Sequence, residues 1–156
     1  MVSVTSDTQP MPDESLLAAY RATRYRVYAP GRELLLRIDQ QDAQLAKLLR
    51  EAWVNHAALL TAWNPGSRPQ PLEQNRALQT QLVRELEAAG YPCLAGRNEA
   101  TTPEPATEHS WNEDSVLALD IRLDAAQTFA ARYRQLAFLW IDEQATPRLV
   151  VTAGGR

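Results

Sequence analysis

The chain has 156 residues, 45% hydrophobic and 22% charged, the size and balance of one globular domain that buries a core without metal or disulfide staples. A formal net charge of −3 gives no global electrostatic reason to expect nucleic acid or an anionic membrane as partner. A single cysteine, Cys93, excludes a disulfide within the chain and a thiolate zinc cluster, and fits a reducing, cytoplasmic setting.

Residues 1–12 are polar, carry Pro10 and Pro12, and read as a disordered lead-in. They lack the basic and apolar stretches of a secretory signal, and no later apolar run reaches the roughly 18 residues a spanning helix needs. Residues 13–156 read as one α+β domain. Asp13 caps a short helix with Leu16, Leu17 and Tyr20 on one face. Tyr25, Val27 and Tyr28 mark a strand, Pro30-Gly31 a turn with φ preset by proline and positive φ taken by glycine, and Glu33–Ile38 the return strand. Asp42 caps a second helix whose stripe is Leu45, Leu48, Leu49, Ala52 and Trp53.

A buried strand over Ala57–Trp63 runs into Asn64-Pro65-Gly66-Ser67, and a helix starts at Pro71-Leu72-Glu73 with Leu78, Leu82, Leu86 and Ala89 as its core side and Gly90 as its stop. A short strand, Tyr91–Ala95, precedes a Thr-, Pro- and Glu-rich loop over 96–110. Ser115–Ile121 reads as a buried strand and Asp124 as the cap of the last helix, with Gln127 three residues on. Strands at Leu136–Ile141 and Arg148–Thr152 complete the pattern. The central β-α-β-β-α-β order matches a ferredoxin-like core, with a mainly antiparallel sheet, an added N-terminal hairpin and C-terminal strand, and helices on one face. A doubly wound parallel sheet is the alternative.

That topology brings three stretches to one rim: Asn64–Ser67 with Asn75, Trp111-Asn112-Glu113, and Arg134-Gln135. A helix start at the rim would add backbone N–H groups suited to an anion. At these residues the sequence resembles a small bacterial family classed only as domain of unknown function, number 3293. Thr61-Ala62-Trp63-Asn64-Pro65-Gly66-Ser67, Glu73-Gln74-Asn75, the Trp111-to-Ser115 stretch and Tyr133-Arg134-Gln135-Leu136-Ala137 carry the resemblance, across about residues 20–142. The last helix ends Arg-Tyr-Arg-Gln where an aromatic-Gly-Gln ending is expected. The resemblance implies no reaction.

Each rim residue has a structural reading beside the functional one. Asn64 and Ser67 suit a turn that bonds its own backbone; Asn75 could bond the preceding loop, Trp111 anchor a lid, and Gln135 satisfy a backbone group. Glu113 is either a solvated loop acid or an acid/base. His56, His109 and Cys93 show no metal-ligand spacing, and no G-x-S-x-G, phosphate-loop or dinucleotide fingerprint is present, so no cofactor is expected. Asp120, inside an apolar stretch, is read as an ion-pair partner for Arg122 or Arg134.

Three functions follow. The first is a small-molecule binding module, for an anionic or nucleotide-like ligand, using Asn64, Ser67, Asn75, Trp111, Glu113 and Gln135. The second is an enzyme with Glu113 as acid/base at the same rim. The third is a protein or RNA interaction module through the Arg24/Arg26 and Tyr25/Tyr28 hairpin, against which the acidic whole counts.

Overall fold

The computed structural model describes residues 13–100 and 112–152. The expectations for the 1–12 lead-in, for His109 and Trp111, for the loop beyond residue 100 and for the final glycines lie outside the described residues.

The helix starts follow their caps. The Asp13 carboxylate accepts from the Leu16 amide at 2.8 Å and opens α1 (Glu14–Ala22). Asp42 accepts from the Leu45 amide at 2.9 Å and opens α2 (Ala43–Glu51). Between them β1 (Arg24–Ala29) and β2 (Arg32–Leu36) form the expected hairpin, with Gly31 at φ 73° in its turn. The core stripe of α2 stops sooner than the sequence pattern implies. Ala52 is the C-cap and Trp53 turns left-handed at φ 60°, so the Val54 amide closes back on the Leu49 carbonyl at 3.0 Å. Trp53 is thereby turned out, 94% exposed.

Next come β3 (Ala57–Leu60), α3 (Leu72–Ala88), β4 (Cys93–Glu99), β5 (Asn112–Leu119), α4 (Leu123–Arg132), β6 (Ala137–Ile141) and β7 (Pro147–Val151). The strand boundaries shift in three places. β3 ends at Leu60, and Thr61–Asn64 leave the sheet. β4 continues through Gly96–Glu99, which the sequence composition assigns to a loop. β5 starts at Asn112 and ends at Leu119, leaving Asp120 exposed in a turn at φ 67° instead of inside a strand.

All seven strands share one sheet in the order β2-β1-β4-β5-β3-β6-β7, and every pair is antiparallel. The fold is α+β. The sheet order is not that of a four-stranded ferredoxin-like sheet, because β4 is flanked by β1 and β6 by β7.

The expected placing of all helices on one face is also corrected. Every residue of β3 is buried, so both of its faces need a cover. Leu59, Leu117, Leu119, Leu139 and Ile141 point into a core with α2 and the inner side of the β1–β2 hairpin. Ala58, Leu60, Val116, Ala118 and Phe138 point the other way, against α3 and α4.

Candidate functional site

Thr61–Ser67 is held in place from three directions. The Thr61 hydroxyl donates to the Asp114 carbonyl at 2.7 Å, tying the end of β3 to β5. The Gly66 amide donates to the Arg134 carbonyl at 2.7 Å, and the Gln135 side-chain amide donates to the Trp63 carbonyl at 3.0 Å. Those bonds fasten the turn to the α4–β6 connection. Asn64 adopts φ 45° and Gly66 φ 68°, the left-handed conformation that asparagine and glycine accept with least strain. Pro65–Ser67 form a single 3-10 turn.

Asn75 supplies the third support. It is 3% exposed; its side-chain carbonyl accepts from the Asn64 amide at 2.8 Å, and its NH2 donates to the Asn64 side-chain carbonyl at 2.7 Å. The Gln70 side chain also donates to it, at 2.6 Å. Asn75 therefore shapes the turn from behind.

In front of the turn is a cavity of about 40 Å³, lined by Asn64, Ser67, Glu113 and Gln135 together with Tyr20, Thr23, Tyr25, Thr61, Trp63 and Asn98. Leu59, Ala137, Phe138, Leu139 and Leu149 complete its wall. Four of the six residues singled out from the sequence thus meet at one place, Asn75 stands behind them, and Trp111 lies outside the described residues. By the usual allowance for a water, the volume admits roughly three water-sized groups. No Lys, Arg or His lines it among the described residues, and neither does the start of α3.

Sheet register explains the residues that sequence reasoning missed. Tyr25 pairs with Asn98, and Asn98 with Glu113, so three strands deliver one row of side chains to the same face. Paired Cα atoms stand about 5 Å apart, which puts Asn98 between the other two. Asn98 is 8% exposed, and its side-chain oxygen is buried without a hydrogen-bond partner among the described residues. One rung on, Gly96 is needed for close approach. A Cβ there would lie 2.5 Å from the Ser115 hydroxyl oxygen and 2.6 Å from the Arg26 carbonyl.

The tyrosines stay protonated. Burial pushes the Tyr20 hydroxyl up to about 12, against the lowering effect of its hydrogen bond to Ser67 and with a further rise from the charge of Glu113. Burial raises Tyr25 further still, and its hydroxyl donates to the Tyr20 carbonyl at 2.6 Å. Glu113 is partly buried. At neutral pH the described lining holds two neutral phenols beside amide and hydroxyl groups and the side chain of Glu113.

The remaining candidates fall elsewhere. His56 stacks on Trp140 with ring centroids 5.1 Å apart. Burial first, then the charge of Glu87, raises the Cys93 thiol to about 11, the reverse of an activated nucleophile. Arg26 sits on the outer face of the hairpin, bonded to Glu99 at 2.7 Å and Glu33 at 2.9 Å. Among the described residues no group of three or more His, Cys, Asp or Glu could hold a metal ion, and no helix is long and apolar enough to cross a membrane.

A family model described as Protein of unknown function (DUF3293) matches residues 60–138, half of the chain and a narrower span than the 20–142 over which the motifs were read. It takes in Asn64, Ser67, Asn98, Glu113 and Gln135, and leaves out Tyr20 and Tyr25. No curated protein and no solved structure matches the chain.

Proposed function

The chain belongs to the family of Protein of unknown function (DUF3293), and we propose that its matched region forms, with α1 and β1, a binding site for a compact small molecule. One observation carries the reading. Asn98 lines the cavity, and its side-chain oxygen is buried with no partner among the described residues. A buried acceptor without a partner costs about 1–3 kcal/mol, a cost that a bound donor would remove. The side chains around it come from α1, β1, β4, β5 and the two connections at the rim, the pattern of a preformed ligand site.

A thermal-shift screen of small metabolites tests this. Hits should stabilise the wild-type protein and lose that effect in Asn98→Leu, which removes the acceptor and fills the space. Hits that stabilise both proteins equally would move the site elsewhere.

A second reading, an enzyme with Glu113 as acid/base, is favoured by the position of Glu113, partly buried and close enough for its charge to act on Tyr20 and Tyr25. Turnover of a hit, abolished by Glu113→Gln with binding retained, would establish it. The interaction reading is weakened because two carboxylates already balance the charge of Arg26. On the fold, we read the inner strands β4, β5, β3 and β6 as a ferredoxin-like unit to which the hairpin and β7 were added; the order of those four within the sheet supports this. A lone Cys93 with a raised pKa suits a cytoplasmic setting.

A further inference from the structure

We propose that the chain pairs with a second copy of itself through the end of the sheet where β3 begins, the Trp53 indole of each copy entering a groove on the other. This surface lies at the other end of β3 from the Thr61–Ser67 turn, and the pairing does not depend on the cavity being a binding site.

Trp53 is the projecting part. It is 94% exposed and sits at φ 60°. The Val54 amide donates to the Leu49 carbonyl at 3.0 Å and the Trp53 amide to the Arg50 carbonyl at 3.1 Å, the two bonds that close a helix on a left-handed residue. Glycine makes that closure with less strain, and an indole so exposed buries almost no apolar area in its own chain. Neither the end of α2 nor the core calls for tryptophan at this position. Strained backbone collects at functional sites, and tryptophan is among the residues that anchor protein interfaces.

The receiving part is close by. A groove of about 520 Å³ is lined by His56, Arg122, Leu123, Asp124, Gln127 and Trp140. Its lining begins three residues after Trp53, at most about 11 Å away between Cα atoms. Leu123 is 40% exposed there, and the His56–Trp140 stack supplies an aromatic wall. Trp53 does not line the groove of its own chain. A projection and a recess on one patch are what a two-fold interface requires, because each copy then offers its projection to the recess of the other.

Charge is complementary in the same sense. Arg50, one turn before Trp53, is exposed, and so is Asp120, whose amide donates to the His56 carbonyl beside the groove at 2.9 Å. Neither forms an ion pair among the described residues. Across the two-fold axis Arg50 of one copy meets Asp120 of the other. The area sets the strength. Two tryptophans and the groove surface they cover bury roughly 600–1,000 Å² in all, short of the roughly 1,200–2,000 Å² of a stable complex. The pair is therefore weak and reversible, forming at micromolar concentrations or above.

Sedimentation equilibrium of the full chain, from low micromolar to near-millimolar concentration, tests this. The average mass of the wild type should climb from that of one 17.5 kDa chain towards that of two. Trp53→Ala, which removes an exposed ring, should move the midpoint to at least about thirtyfold higher concentration, the effect of losing an anchoring tryptophan. Leu123→Glu should do the same from the groove side, with the fold of each variant checked by circular dichroism. Arg50→Glu should weaken the pairing too, by a margin that shrinks as salt is raised. A wild type that stays monomeric throughout, as it would if Trp53 served a different protein, overturns the proposal. So does a dimer that Trp53→Ala leaves unchanged, or one lost in Trp53→Ala and kept in Leu123→Glu.

Discussion

Asn75 holds Asn64 through two side-chain hydrogen bonds, at 2.8 and 2.7 Å, in a buried position. Asn75→Ala would leave the Asn64 amide and side-chain carbonyl without these partners, and should cost about 2–3 kcal/mol. Urea denaturation measures that loss; a change below a few tenths would mean that the turn stands without this support. Arg134 is the opposite case, a residue working against its backbone. It sits at φ 55°, at the place where the family resemblance leads one to expect glycine, and a left-handed conformation costs a residue with a side chain about 1–2 kcal/mol. Arg134→Gly should therefore raise stability by up to about 1 kcal/mol after the greater freedom of glycine in the unfolded chain is counted. A lower midpoint on denaturation would show that the Arg134 side chain contributes more than its backbone loses.

Helices α3 and α4 are clasped at their ends by Glu85. Its carboxylate accepts from the Tyr133 hydroxyl at 2.7 Å and from Arg132 at 3.2 Å. The Tyr133 bond is the main reason that the Glu85 pKa is held below its ordinary value of 4.5, with Arg132 assisting. A carboxylate lowered in the folded state stabilises above its unfolded pKa, and that stability is lost as pH falls through the lower folded value. Wild type should therefore melt above Glu85→Gln at pH 7, and the gap should close as the solution is taken below the carboxylate range. A gap independent of pH would contradict the assigned cause.

Elements of this kind show what the sequence reveals and what it hides. Caps at Asp13 and Asp42, the Pro30-Gly31 turn and the stop at Gly90 were legible because each acts within a few residues of itself. Trp53 was misplaced because an apolar residue at helical spacing looks the same whether the helix continues or closes on a left-handed residue. Gly96–Glu99 read as loop because Arg97 and Glu99, on the outer face of the strand, and the polar Asn98 on its inner face together resemble a polar connection. Nothing local links Tyr25, Asn98 and Glu113; their row exists only through pairings of β1 with β4 and of β4 with β5. Asn64, Ser67, Glu113 and Gln135 could be grouped because β3, β5 and β6 bring them to a common rim.

At the scale of the whole molecule, the sheet divides the labour. Its middle strands are buried on both sides, and the outer face of β2, β1, β4 and β5 carries Arg26 and Arg97 interleaved with Glu33, Glu99 and Asp114 in a network of ion pairs. The polar cavity lies where α1, the turn after β3 and the start of β5 close over one end of a core. Segments on both sides of residue 60 are needed to complete it, which joins the family-matched part to the N-terminal helix and hairpin. The central claim is that this cavity is built to hold a small polar guest. Crystals of the full chain soaked separately in methylammonium, methanol and acetate test it most directly. The account predicts difference density for at least one probe within hydrogen-bond distance of the Asn98 side-chain oxygen. Probes ordered only at other surfaces, with the cavity closed by its own side chains, would contradict it.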